Sequence, residues 1–133
     1  MGRSVTSEYA GPLYQVRKGG GLENTGTGGT TQDIEAIDGF ADAAAQDAFC
    51  GAETCTVSVL YDQSGSGNDL VVSDGGCYDG GGGSALEDDY ETDATRRSLT
   101  VSGHRVYALA MRAHEGYRNN LATNMPCRLY PSD

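Results

Sequence analysis

The stretch Cys55–Leu70, CTVSVLYDQSGSGNDL, decides how this chain is read. Its first half, Thr56 to Tyr61, is the best strand signal present. Val57 and Val59 alternate with Ser58, and Leu60 and Tyr61 extend the run. Its second half is a polar loop punctuated by Gly65 and Gly67 and crowded with Asp62, Gln63, Ser64, Asn68 and Asp69. A strand that ends in a short Asx-rich loop, followed by a second short strand at Leu70 to Val72, predicts β-structure.

Working outward, residues 8–18 (EYAGPLYQVRK) read as a turn leading into a strand, and 19–31 (GGGLENTGTGGTT) as a loop. Gln32 to Ile37 reads as a second strand, with Ile34 and Ile37 as core candidates. Residues 41–49 (ADAAAQDAF) form the one convincing helix, with Asp38 or Asp42 placed to cap it and Cys50-Gly51 to end it. Beyond Val72, residues 73–94 carry glycine and acid and almost nothing to bury, so they read as a long loop pinned by Cys77. Leu99 to Val101, the Ser102-Gly103 turn and Arg105 to Met111 read as a hairpin. Short strands, Gly-rich turns and one helix indicate a mostly β fold, a sandwich or jelly roll.

Composition narrows the function. Nineteen acidic residues against nine basic ones give a net charge of −10, which disfavours nucleic acid and anionic membranes. No apolar run approaches the roughly 20 residues that cross a bilayer. The opening MGRSVTSEYAG lacks the features of a secretory signal, so either a signal was removed and Met1 is an added start, or the chain was never secreted by that route. Length and 38% hydrophobic content suit a single module over residues 1–133.

Cys50, Cys55, Cys77 and Cys127 show neither the CxxC nor the HxxxH spacing of a zinc site, so no metal and no cofactor is expected. Cys50 and Cys55 bracket a turn-like GAET loop that suits a small-loop disulfide, which points to an oxidising compartment. The carboxylates Glu87, Asp88, Asp89, Glu91 and Asp93 do not follow a calcium-loop order and read as a solvated surface. The 61–69 loop offers amides and carboxylates that could grip sugar hydroxyls, but the structural reading, side chains holding the turn, is preferred. Its Gly-Ser-Gly lacks the lysine of a phosphate loop. His104 and His114 read as surface residues, and no nucleophile elbow surrounds Ser64 or Ser66. Gly116-Tyr117-Arg118-Asn119-Asn120 could grip a sugar or tie down a loop; the residues alone do not choose.

Taken together, GPLYQVRK (11–18), TTQDI (30–34), ADAAAQDAFC (41–50), CTVSVLYDQSGSGNDL (55–70), LTVSGHRVYALAM (99–111) and GYRNN (116–120) resemble the catalytic domain of α-L-arabinofuranosidase B in order and spacing. The resemblance implies a concanavalin-like β-sandwich, secretion, and a disulfide across the Cys50–Cys55 loop. It implies an enzyme that releases terminal α-L-arabinofuranosyl groups from arabinan or arabinoxylan, with an arabinose-containing polysaccharide as partner. It covers only the N-terminal portion of that domain, up to about residue 120. The family's mechanism needs two carboxyls about 5 Å apart, and in the family both lie beyond the GYRNN segment. The chain has no tryptophan and no adjacent cysteines to match the family's sugar pocket. No catalytic residue is therefore carried over; Glu115 and Asp133, the carboxylates nearest the end, sit in no matching motif.

A disulfide between Cys77 and Cys127 is inferred from parity alone. A weaker similarity to laminin-G-like sandwich modules of phage structural proteins supplies the alternative: a non-catalytic structural or glycan-binding sandwich, self-assembling or part of a virion or other extracellular particle. Both readings expect an extracellular protein that associates with itself or another protein, and the 133-residue chain is expected to be inactive.

Overall fold

The computed structural model describes residues 1–5, 8–73 and 88–119. The fold is mostly β. Its main sheet has the order β2-β1-β5-β6-β9, every neighbouring pair antiparallel. The strands are β1 (Tyr14–Lys18), β2 (Thr30–Ile34), β5 (Cys55–Leu60), β6 (Leu70–Val72) and β9 (Tyr117–Arg118). Two separate hairpins, β3 (Ala36–Ile37) with β4 (Phe40–Ala41) and β7 (Ser98–Val101) with β8 (His104–Tyr107), flank it. The helix α1 (Ala43–Cys50) follows β4.

The core forms where the alternating residues of β1 meet those of β5. Tyr14 and Val16 are fully buried with Val57, Ile34, Leu13, Ala41 and the Cys50–Cys55 pair. Val16 lies directly opposite Val57, and the register slips between Gln15 and Val16, leaving Ser58 as the extra residue of a bulge. The helix starts where Asp42 accepts a 3.0 Å bond from the Ala45 amide, and ends with the Gly51 amide bonded to the Asp47 carbonyl. Its inward polar residue, Gln46, is fully buried and satisfied: it accepts from Tyr14 Oη at 2.5 Å and donates to the Ala94 carbonyl at 3.1 Å.

Several sequence expectations need correction. The strand expected over Gln32 to Ile37 breaks at Glu35, and Ile37 is 54% exposed rather than core. The cause is Asp38-Gly39, both with positive φ (54° and 82°), which form a two-residue hairpin turn that lifts Ile37 opposite Phe40. Asp38 is thus a turn residue; Asp42 alone caps the helix. The second arm of the later hairpin stops at Tyr107, not Met111, while its turn sits at Ser102-Gly103 as expected, with φ of 50° and 79°.

The largest departure concerns the end of the expected 73–94 loop. Glu91, Thr92 and Ala94 are buried. The reason is that Thr92 and Ala94 bond to β5 like a further strand: the Val57 amide donates to the Thr92 carbonyl (2.8 Å), and the Ala94 amide to the Cys55 carbonyl (2.9 Å). They complete the edge of β5 below the point where β6 leaves it. The same segment lays Glu91 on Thr56, joined there by Asn24, while Arg17 covers Ser58, so Cys55, Thr56, Val57 and Ser58 are all buried instead of alternating.

Candidate functional site

Arg17 on β1 is opposite Thr56 on β5, which puts both on the sheet face away from Tyr14 and Val16. The segment ending in Ala94 brings Glu91 against them. Arg17 Nε donates to Glu91 Oε1 at 3.0 Å, and Thr56 Oγ1 donates to the same oxygen at 2.7 Å. The other guanidinium nitrogens donate to the Gly28 carbonyl, the Gly26 carbonyl and Ser58 Oγ at 2.7 to 3.0 Å. Asn24 Nδ2 closes the network by donating to Thr56 Oγ1 and the Gly21 carbonyl. One arginine therefore ties the Gly-rich 21–28 loop, the bulge and the acidic segment together. Glu91 is 1% exposed, so its reading as a solvated charge is overturned: the guanidinium that neutralises it comes from a distant strand. Its second oxygen, Oε2, is buried without a donor among the described residues. A cavity of about 260 Å³ lies here, lined by Arg17, Thr25, Gly26, Ser58, Val71, Val72 and Glu91.

Tyr117 of GYRNN holds the other side of the acidic segment. Its hydroxyl accepts from the Thr92 amide (2.7 Å) and donates to the Val57 carbonyl (2.6 Å), and burial pushes its pKa up to about 12. Asn119 Nδ2 donates to Asn68 Oδ1 at 3.1 Å, tying GYRNN to the 61–69 loop. Here Tyr117 and Asn119 tie down loops. Glu115 makes a two-point ion pair with Arg96 (2.6 and 2.8 Å) and accepts from the Arg112 amide. The Arg96 guanidinium holds its carboxyl below the usual range.

The 61–69 loop knits itself. Asp62 accepts from the Ser64 amide and hydroxyl and from the Asn68 amide, while Asp69 accepts from the Asp62 amide. The Ser64 hydroxyl, then the Asn68 amide, hold the Asp62 carboxyl below its ordinary value. Tyr61 Oη donates to Asp33 at 2.5 Å; burial and that bond push the phenol well above its ordinary range. This matches the turn-holding role preferred from sequence. The Ser64 hydroxyl is thereby used, and His104 stacks on Phe40 with centroids 4.1 Å apart, so no serine–histidine pair forms among the described residues. His114 is exposed. Asp88 is exposed, Asp89 is half-buried, and Asp93 accepts from the Thr95 amide. No group of three potential metal ligands occurs among the described residues.

Cys50 and Cys55 are joined in a disulfide between the helix end and the start of β5. Cys77, Cys127, Glu87, Asn120 and Asp133 lie outside the described residues. Arg17 was missed by sequence reading because its only signal, a cation on a strand face, acquires meaning when Glu91 is placed beside it.

The fold is of the β-sandwich class, mostly strands with one short helix. The family description "Alpha-L-arabinofuranosidase B, catalytic" matches residues 1–132, and the chain belongs to that family. It is 38% identical over 121 residues to an α-L-arabinofuranosidase of Hypocrea jecorina, covering 91% of this chain and 23% of that protein. It is 37% identical over 123 residues to a probable α-L-arabinofuranosidase B of Aspergillus fumigatus, covering 91% and 22%. The chain thus spans less than a quarter of the length of the curated relatives it matches, as their N-terminal portion. A crystal structure of an arabinofuranosidase complexed with arabinofuranosyl-α-1,2-xylobiose superposes with a TM-score of 0.72 at 36% identity, covering 90% of this chain and 23% of that one. A GH54 α-L-arabinofuranosidase soaked with a cyclic sulfate inhibitor gives 0.73 at 36%, covering 92% and 24%.

Proposed function

We infer that this chain supplies the N-terminal framework of an arabinofuranosidase B-type catalytic domain. The complete domain releases terminal α-L-arabinofuranosyl groups from arabinan or arabinoxylan; this portion builds sheet and anchors loops without performing the chemistry. The observation that carries the reading is how the described carboxylates are used. A retaining glycosidase needs a carboxylate nucleophile and, about 5 Å away, a carboxyl held protonated by a raised pKa. Glu91 is neutralised by Arg17, and Asp47 is bonded by Arg105 and Tyr107. Asp62 and Glu115 are shifted downward, opposite to a general acid. The disulfide supports an extracellular setting. Self-association is supported by the exposed edge strand β2 and by exposed Leu22, Ile37, Leu99 and Met111.

Release of nitrophenol from an aryl α-L-arabinofuranoside tests the assignment. The 133-residue chain is expected to give background only, and a chain extended to the relatives' full length to turn over. Hydrolysis by the short chain that vanishes in Glu115→Gln, or an inert extended chain, overturns it. Light scattering of the short chain is expected to give a mass above monomer.

A further inference from the structure

The N-terminal segment and the 61–69 loop border a groove that the framework role leaves unused. Residues 2–4 run along β4: the Ser4 amide donates to the Gly39 carbonyl and the Ala41 amide to the Gly2 carbonyl, both at 2.8 Å. Gln63 ties this strap to the loop, accepting from the Val5 amide at 2.7 Å and donating to the Arg3 carbonyl at 3.4 Å. The cavity between them measures about 560 Å³, and Val5, Leu60, Tyr61 and Leu70 supply its walls. Val5 is 77% and Leu70 36% exposed, so a fixed frame holds apolar side chains open to solvent, as an interaction surface requires.

What the groove offers follows from which of its polar groups are already engaged. Both ends of the Gln63 amide are bonded, the Ser64 hydroxyl donates to Asp62 and accepts from the Ser66 amide, and Asn68 Oδ1 accepts from Asn119. A neutral polar ligand finds few open partners there. Charge remains. The donors of its own loop keep Asp62 ionised. Burial first, then the field of Asp69, Glu35, Asp62 and Asp33, raises the Tyr9 phenol, which marks four carboxylates on this face. None of the four takes part in an ion pair among the described residues. Arg3, two residues from Val5, carries its guanidinium over the Phe40 ring. An apolar wall beside an uncompensated negative field suits a long cationic side chain, whose methylenes pack while its head faces the acid. We propose that this groove docks a short segment of a partner protein that alternates apolar and basic residues, an apolar side chain seating on Val5, Leu60 and Leu70 and a lysine or arginine facing Asp62. This docking surface rests on the groove alone and holds whether or not the complete domain hydrolyses arabinofuranosides.

The test is an NMR titration of the 133-residue chain with three blocked tetrapeptides: lysine–leucine–lysine–leucine, glutamate–leucine–glutamate–leucine and lysine–serine–lysine–serine. The amides of Val5, Gln63 and Leu70 report on the groove. The lysine–leucine peptide is expected to give saturable shifts with a dissociation constant of about 0.1–1 mM at low salt, weakening about 5- to 10-fold at about 0.3 M salt. The other two peptides are expected to give none in that range. Val5→Lys, which sets a cation on the exposed wall, should abolish the shifts with the melting temperature unchanged. Asp62→Asn should weaken binding about 5-fold. Because that variant can also loosen the loop, Val5→Lys keeps the test decisive. Absent shifts, equal shifts from the glutamate–leucine peptide, or shifts untouched by Val5→Lys would overturn the docking site. Equal binding of the lysine–serine peptide would overturn the apolar seat. Shifts at the same amides on dilution without peptide, or cross-peaks from residues 120–133 to Leu70, would give the groove to a second copy or to the chain's own tail and overturn the partner segment.

Discussion

Replacing Arg17 by Met should be among the most damaging single changes in the described structure. The substitution removes a guanidinium that joins β1 to Glu91, 74 residues away, and to three acceptors in the 26–28 loop and the bulge. It leaves Glu91 charged at 1% exposure with one remaining donor, Thr56. Stranding one partner of a buried ion pair costs about 3–5 kcal/mol, and Thr56 keeps the expected loss near the lower end, about 3 kcal/mol. For 133 residues at about 2.1 cal/mol/K each, that corresponds to a melting temperature lower by about 10 °C. Urea unfolding followed by circular dichroism supplies the number, with the m-value unchanged if the denatured state is unaffected. The double variant Arg17→Met/Glu91→Leu should be less destabilised than the sum of the two single losses, because it buries no lone charge. A single-variant loss below about 1 kcal/mol would refute the argument, since that is what an exposed pair contributes.

Three further outcomes follow from the same framework. Glu115, held below its usual pKa of 4.5 by Arg96, binds protons more weakly folded than unfolded, so its stabilisation is complete above about pH 5. Stability should fall as pH drops below 4.5, and Glu115→Gln should flatten that part of the profile. Tyr117, raised from 10 to about 12, has the opposite sign: its contribution is present below pH 10 and declines between 10 and 12. Phenolate absorbance should show several late-titrating tyrosines, Tyr61 among them, and one fewer in Tyr117→Phe, at a cost of about 1–3 kcal/mol for its two bonds. Finally, a non-reduced digest should yield the linked Cys50–Cys55 peptides, and opening that short loop should cost about 2 kcal/mol; a Cys77–Cys127 bridge across about 50 residues would be worth about 4 kcal/mol. Free, alkylatable thiols at either pair would contradict the pairing.

Most of the fold could be read from sequence because its signals are local. The Val57 and Val59 alternation specifies β5, the alanines with Asp42 specify α1, and Ser102-Gly103 specifies the β7–β8 turn. Asp38-Gly39 is equally local; running the second strand unbroken to Ile37 is what misplaced that residue in the core. The 61–69 loop holds itself with its own side chains, so its structural role also lay within one short stretch.

Glu91 is different in kind. In the sequence it is one of five carboxylates beside a run of glycines, and nothing local separates it from Asp88 or Asp89. Its burial is decided when the chain returns after dozens of residues to bond Thr92 and Ala94 along β5, bringing the carboxylate within 3.0 Å of Arg17. A charge is buried only where a counter-charge and donors meet it, and where they meet is set by strand register. The sequence by itself therefore determined most of the strands, the helix, the Ser102-Gly103 turn and the family of this protein. Only the tertiary structure decided which acid became part of its interior, because that choice depends on partners distant in the chain.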